Sequence, residues 1–238
     1  MPDILDAHLH VNSLNNSLNP EHSYFLNAAN EKDWNIVIEF TVRYEKVKGF
    51  LGVHPWFINS ISDNWETALT KILIEHPNIG VGEIGIDKVT NPLCFNKQVE
   101  LFKKQLKIAV QLNRPVVIHC VKAFDSLFQI FKEMGISKIH GILHRFEGNM
   151  DIMERLLKYG LYISFYYSVH KRDKIKEALL NCPSERMFLE SDSGNGQDDE
   201  ALNEHYKNTA GLLGMNYNQL IKVINQNGKV FADKAFTR

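Results

Sequence analysis

The sequence predicts an α/β protein, a (β/α)8 TIM barrel, on three observations. Eight short segments rich in apolar and β-branched residues recur along the 238 residues, stretches of helical periodicity lie between them, and the short segments are apolar throughout rather than alternating. A strand without a polar face is buried on both sides, as in a parallel sheet covered by helices, and eight such units in series close into a barrel.

In chain order, the first strand is residues 4–11 and the second, a β-branched run, is residues 35–40. The third is 47–54. Only Thr41 to Lys46 separates it from the second, too little for a helix, so the barrel is expected to be trimmed around the second βα unit. The fourth strand, 79–86, leads into an amphipathic helix over 93–112, and the fifth, 116–119, into one over 124–134. The sixth and seventh, 139–144 and 161–165, precede helices over 150–157 and 173–180, and the eighth is 187–191. Helices over 199–213, 217–225 and 229–235 then form a terminal cap. No Pro/Gly-rich linker interrupts the chain, so residues 1–238 are expected to be one barrel domain.

Composition narrows the class further. With 44% hydrophobic and 23% charged residues the chain is neither disordered nor fibrous. No apolar run approaches the roughly 18–20 residues of a bilayer crossing, and the opening MPDILDAHLHVN has no basic segment before an apolar one, so no membrane association is expected and the cytoplasm is. Cys94, Cys120 and Cys182 are odd in number and lack C-x-x-C spacing, which points to free thiols. Cys120 follows His119 directly, and alternation turns it to the opposite face, into the core. A net charge of −1 lacks the basic excess of a dedicated nucleic-acid binder.

Chemistry in such barrels sits at the C-terminal strand ends. The polar residues fall there repeatedly. His8 and His10, as H-x-H in a strand, place two imidazoles on one face. His54 ends strand three, Glu83 lies late in strand four, His119 ends strand five, His144 ends strand six and Asp192 follows strand eight. Seven residues of these types at one mouth are a metal site rather than separate loop caps. They fit two divalent cations sharing a carboxylate, with Glu83 central enough to reach both, and a metal-bridging hydroxide as nucleophile. Asp192, the last carboxylate, suits both coordination and proton transfer.

Other polar residues are weighed the same way. His140 shares a face with His144 but lies roughly 13 Å upstream, at the barrel floor. Asp6 and Glu190 share parity with His8 and Asp192 and are expected to support imidazoles from behind. His22, His76 and His205 are expected at the surface, and His170 is a candidate substrate contact. The glycines of Gly80-Val81-Gly82-Glu83-Ile84-Gly85 match no nucleotide-binding spacing and are read as close packing around Glu83.

Taken in order, Asp6-Ala7-His8-Leu9-His10, Gly52-Val53-His54-Pro55, Gly82-Glu83-Ile84-Gly85-Ile86-Asp87, Ile118-His119, His144-Arg145-Phe146-Glu147-Gly148 and Glu190-Ser191-Asp192 resemble the TatD family of metal-dependent hydrolases. The closing Asn227-Gly228-Lys229-Val230-Phe231 is similar to that family's C-terminal N-x-x-x-F. The resemblance spans the chain and implies a two-metal hydrolase, commonly of DNA phosphodiesters. It implies His8, His10, Glu83, His119, His144 and Asp192 as metal ligands, Glu83 bridging. His54 would be a nearby substrate or supporting group, and Asp192, Glu83 and His54 the catalytic set.

Three places depart from the family pattern. Val121 stands where the family usually has an arginine, Arg145 stands in its H-C-F segment, and an acidic stretch, Ser193 to Glu200, replaces a proline followed by basic residues. The expectation is therefore a TatD-like deoxyribonuclease or phosphodiesterase with two divalent ions (Zn, Mn, Mg, Ni or Fe), monomeric, acting on DNA ends or another small phosphoester. Only scattered cations, Lys122, Arg145, Lys171 and Arg172, lie near the mouth, so short or single-stranded ends are expected over duplex interiors. An amidohydrolase-like activity on an amide, cyclic amide or lactone, and a non-catalytic metal-binding protein, are the two alternatives.

Overall fold

The computed structural model describes residues 3–11, 18–193 and 199–236. Eight parallel strands form one sheet in sequence order: β1 (Leu5–His10), β2 (Ser23–Asn27), β3 (Val47–Leu51), β4 (Gly80–Asp87), β5 (Val116–Val121), β6 (Gly141–Leu143), β7 (Tyr162–Phe165) and β8 (Met187–Leu189). The barrel comes together where β1 meets the end of β8. Leu9 bridges Ser193, Asp192 N donates to His8 O at 3.0 Å, and His10 N donates to Ser193 O at 3.3 Å. Around it lie α1 (Trp34–Arg43), α2 (Trp65–Glu75), α3 (Phe95–Gln111), α4 (Phe124–Glu133), α5 (Met150–Lys158), α6 (Asp173–Asn181), α7 (Asp199–Leu213) and α8 (Tyr217–Phe236).

One predicted strand is a helix. Residues 35–40 lie inside α1, and the second strand is Ser23–Asn27 instead. The β-branched run Ile36-Val37-Ile38 favours a strand locally, but burial follows Trp34, Val37 and Phe40, a spacing of three, and Ile36 is exposed. The start signal lies upstream. Asn30 accepts from Lys32 N while Asp33 accepts from Asn30 N, a capping box that opens a 3-10 turn running straight into α1. The second βα unit is therefore complete, and no α-helix separates β1 from β2 among the described residues. The helices predicted over 217–225 and 229–235 are one continuous helix, and α2 was not anticipated.

The last helix closes the barrel floor. Phe231 of α8 is fully buried, its ring 5.4 Å from Phe25, 5.5 Å from Tyr162 and 4.5 Å from His140, whose Nε2 meets Phe231 O at 3.0 Å. Asn227, one turn earlier, donates to Ser184 O and Met187 O at the start of β8. The terminal N-x-x-x-F is thus an anchor and a plug, and His140 lies at the floor as its parity predicts.

Two strand irregularities sit at the mouth. Register shifts between Asp6 and Leu9 in β1, and between Val81 and Ile84 in β4, bracket His8 and Glu83. Such bulges re-aim side chains, and they turn both residues into the barrel mouth. The adjacent Gly85 has φ +157°, and a Cβ there would stand 1.9 Å from the His119 carbonyl oxygen. Only glycine lets β4 approach β5 where His119 is presented.

Candidate metal centre

Glu83, 1% exposed, is the hub of the site. Its Oε2 lies 3.2 Å from both His8 Nε2 and His10 Nε2, and those nitrogens are 3.2 Å from each other. Asp192 Oδ1 is 3.8 Å from each of the two. The other oxygen, Oε1, lies 2.8 Å from His119 Nδ1, 2.7 Å from His144 Nε2 and 3.2 Å from His54 Nε2. All seven residues proposed from the sequence thus converge, each carboxylate oxygen of Glu83 facing its own set.

Partners on the far side of each ring bear on where the protons lie. His119 Nε2 faces Asp87 Oδ2 at 3.4 Å, and a carboxylate only accepts, so with a metal on Nδ1 the ring's proton would sit on Nε2. His144 Nδ1 faces Glu190 Oε1 at 3.4 Å, so with a metal on Nε2 the ring's proton would sit on Nδ1. The two inward nitrogens, His119 Nδ1 and His144 Nε2, are 3.1 Å apart and both abut Glu83 Oε1. Three such atoms that close need positive charge among them, supplied by protons on the imidazoles or by a metal ion. His54 is oriented the other way. Its Nδ1 accepts from Trp56 N at 3.2 Å, and burial pushes its pKa down to about 4, so the neutral ring holds its one proton on Nε2, beside Glu83.

These donors fit divalent metal. His8 Nε2, His10 Nε2 and Glu83 Oε2 form a triangle with edges of 3.2 Å, and Asp192 Oδ1 stands 3.8 Å from both imidazole nitrogens. A tetrahedral ion with bonds of roughly 2.0–2.1 Å has edges of about 3.3–3.4 Å. Both oxygens of Glu83 are buried without an aligned hydrogen bond. Burial opposes its charge, yet the imidazoles of His144, His54 and His8 hold it well below the usual carboxylate range. His144 shifts the opposite way: burial disfavours its cation, but Glu83 and Glu190 raise its pKa well above that of a free imidazole. The pocket is thus built around positive charge.

The remaining predictions divide. Glu190 backs His144 as expected and also accepts from Arg145 N at 2.7 Å. Asp6 touches no imidazole ring. It accepts from His8 N, Ser191 N and Ser191 Oγ, tying β1 to the end of β8. His22 and His205 are buried, not at the surface: His22 Nδ1 accepts from Ile4 N, and His205 Nε2 donates to Phe165 O. His76 is half-buried. His170 packs on His205 rather than facing the mouth, at 2.9 Å. Cys120 is buried as expected. Of the acidic stretch, residues 194–198 lie outside the described residues. Asp199 turns to Asn19, 3.0 Å away, and neither it nor Glu200 lines the mouth.

Above the cluster opens a cavity of about 550 Å³. Arg145 and Arg172 line it, whereas Lys122 and Lys171 do not. Arg145 Nη1 is 2.5 Å from Asp192 Oδ2, and both residues have φ near +44°, the left-handed region that side chains usually avoid. Two residues at the mouth escaped sequence reasoning. Asp87 accepts from Trp56 Nε1 at 2.7 Å, from Val89 N and from Thr90, and orients His119. Its signal was its place four residues after Glu83 with the same parity, and that of Trp56 its place two after His54.

A parallel barrel with buried His, Glu and Asp clustered at its C-terminal mouth defines a metal-dependent hydrolase. Residues 5–232 match the TatD related DNase family, and the chain belongs to it. It is 33% identical over 164 residues to the human 3'-5' RNA nuclease TATDN2, covering 65% of this chain and 21% of that protein. The Bacillus subtilis metal-dependent hydrolase YabD is 28% identical over 65% of this chain and 62% of its own length. The 3'-5' ssDNA/RNA exonuclease TatD of Edwardsiella piscicida is 32% identical over 60% of this chain and 56% of its own. In fold, the chain matches a TatD homologue from Escherichia coli K12 with TM-score 0.84 at 21% identity, over 99% of this chain and 98% of that one. A TatD family hydrolase from Entamoeba histolytica matches with TM-score 0.81 at 16% identity, over 100% and 99%.

Proposed function

We propose that this chain is a phosphodiesterase holding two divalent ions that removes nucleotides from single-stranded ends. The observation that carries the reading is the division of Glu83, with Oε2 facing His8, His10 and Asp192, and Oε1 facing His119 and His144. Two ions there, of Zn, Mn, Mg, Ni or Fe, would supply a water of lowered pKa and Lewis acidity toward a phosphoryl oxygen. Glu83 keeps the two sets in one frame, and Asp87 and Glu190 hold the His119 and His144 rings with Nδ1 and Nε2, respectively, inward. Asp192, whose Oδ2 is paired with Arg145, would be the carboxylate to take up the nucleophile's proton and return it to the leaving oxygen. The names of the human and Edwardsiella relatives support a nucleic-acid substrate. Free thiols at Cys94, Cys120 and Cys182 fit a reducing compartment such as the cytoplasm.

Turnover of end-labelled single-stranded and duplex oligonucleotides, bis(p-nitrophenyl) phosphate, a cyclic amide and a lactone, with and without each metal, tests this. Metal-dependent shortening of single strands is expected. Turnover confined to the amide or lactone would replace the reading.

A further inference from the structure

We infer that the mouth is a two-walled nucleotide subsite in which the indole of Trp56 stacks on an unpaired terminal base while Arg145 and Arg172 face its phosphates. This rests on, and deepens, the proposed action on nucleic-acid ends.

Trp56 is 52% exposed, whereas Trp34 and Trp65 are 4% and 5% exposed in the core. An indole left in water at a cavity mouth is a poor packing residue, yet this one is fixed in place. Its Nε1 donates to Asp87 Oδ2 at 2.7 Å, and its ring stands edge-on to His54, at 86° with centroids 4.9 Å apart. The indole is thus pinned by its nitrogen edge beside the metal centre with a large apolar surface uncovered. Val89, 60% exposed, and Phe57 line the same cavity.

The cations line the other side. Trp56 and Val89 follow β3 and β4, while Arg145 and Arg172 follow β6 and β7, three strands further round the barrel. Arg145 is held by Asp192 and by the Tyr166 ring, 4.7 Å from its guanidinium carbon, and Arg172 by Glu147 at 2.9 Å. An apolar ring wall facing a guanidinium wall across the metal cluster matches a nucleotide, which is flat and apolar at one end and anionic at the other. A sugar phosphate or a lone phosphate leaves the Trp56 wall bare. A base within a duplex has both faces already stacked and must be unstacked to reach it, which selects unpaired ends.

The test uses the one solvent-accessible tryptophan as its own reporter. Adenosine 5'-monophosphate and ribose 5-phosphate are titrated against wild type, Trp56→Phe and Trp56→Ala, following acrylamide quenching in wild type and calorimetry in all three. Stacking predicts that the nucleotide shields Trp56 from acrylamide and binds roughly 5- to 100-fold tighter than the sugar phosphate. Trp56→Phe retains most of that advantage and Trp56→Ala loses it. The phenylalanine variant is decisive because it keeps a ring but removes the bond to Asp87. If it behaves like the alanine variant, the indole serves Asp87 and the inference falls. Equal affinity of wild type for the two ligands, or no shielding, overturns it even if Trp56→Ala does not fold. Nucleotide selectivity without cleavage of any oligonucleotide would sink the proposed activity and leave the subsite standing; cleavage of single strands unaffected in Trp56→Ala would do the reverse.

Discussion

His54 lies 3.2 Å from Glu83 Oε1, and distance alone groups it with Glu83 and His119 as a third metal ligand. Its proton position argues otherwise. With Nδ1 accepting from Trp56 N and a pKa of about 4, the neutral ring presents an N–H, not a lone pair, to the cluster. Its contribution is then that of one contact to a charged carboxylate, about 1.5–3 kcal/mol, or roughly 10- to 150-fold in whatever equilibrium depends on Glu83. Loss of a supporting partner behind a metal ligand commonly costs about 10- to 100-fold in metal affinity, the same range. His54→Ala should therefore keep its full complement of metal while binding it that much more weakly, and His54→Gln, which retains an N–H donor, should fall less. His119→Ala, which deletes an inward nitrogen, should lose one ion outright. Metal content after gel filtration against a competing chelator, with calorimetric titration of the stripped protein, separates the cases. A His54→Gln protein that drops a whole equivalent of metal, as His119→Ala does, would show that the tautomer argument is wrong.

Other outcomes follow from the same geometry. Asp192→Asn keeps the side chain's size but removes the base, and turnover should drop by roughly two to four orders of magnitude with the melting temperature little changed; near-normal turnover would remove the proton-transfer role. His205 is held neutral by burial at a pKa of about 3, against about 6.5 when unfolded, so below pH 6.5 the unfolded chain binds the extra proton. The stability it contributes is full above pH 6.5 and drains by up to about 1.4 kcal/mol per pH unit toward pH 3. The difference between wild type and His205→Gln in urea melts should therefore slope across that window; a flat difference would contradict the burial argument. With two arginines on the mouth, single-strand binding should have a log–log salt slope no steeper than about −1.4, and a slope of −4 or beyond would reveal a basic track elsewhere.

The fold was legible where burial forced a uniform pattern. Strands such as Gly80–Asp87 and Val116–Val121 are buried along nearly their whole length and read as continuous apolar runs. The second strand was missed because Ser23–Asn27 has only Tyr24, Phe25 and Leu26 between polar ends, while Ile36-Val37-Ile38 nearby has stronger β-propensity and lies in a helix. What decides between them is a cap at Asn30 and Asp33, a signal of two polar residues outranking three β-branched ones.

The site was legible for a related reason: ligands to one centre must stand at strand ends with the right parity, so position in the chain encodes position at the mouth. Residues acting through a ligand obey no such rule. Asp6 and Glu190 have equivalent parity, yet Glu190 meets the His144 ring while Asp6 is consumed by two amides and the Ser191 hydroxyl. Nothing in the linear sequence distinguishes them, because the outcome depends on what the facing strand offers. The substrate side is set the same way. The cation absent at Val121 on β5 is present at Arg145 beyond β6, so the mouth keeps a guanidinium but moves it onto Asp192. Any phosphate drawn to Arg145 therefore arrives beside the carboxylate proposed to handle the proton, which couples substrate binding to proton transfer at one residue pair. Arg145→Ala should then lower kcat as well as raise KM, whereas Arg172→Ala, whose partner Glu147 is not one of the cluster's ligating groups, should act on KM alone. Equal effects of the two substitutions on kcat would break that coupling and reduce Arg145 to a second phosphate contact.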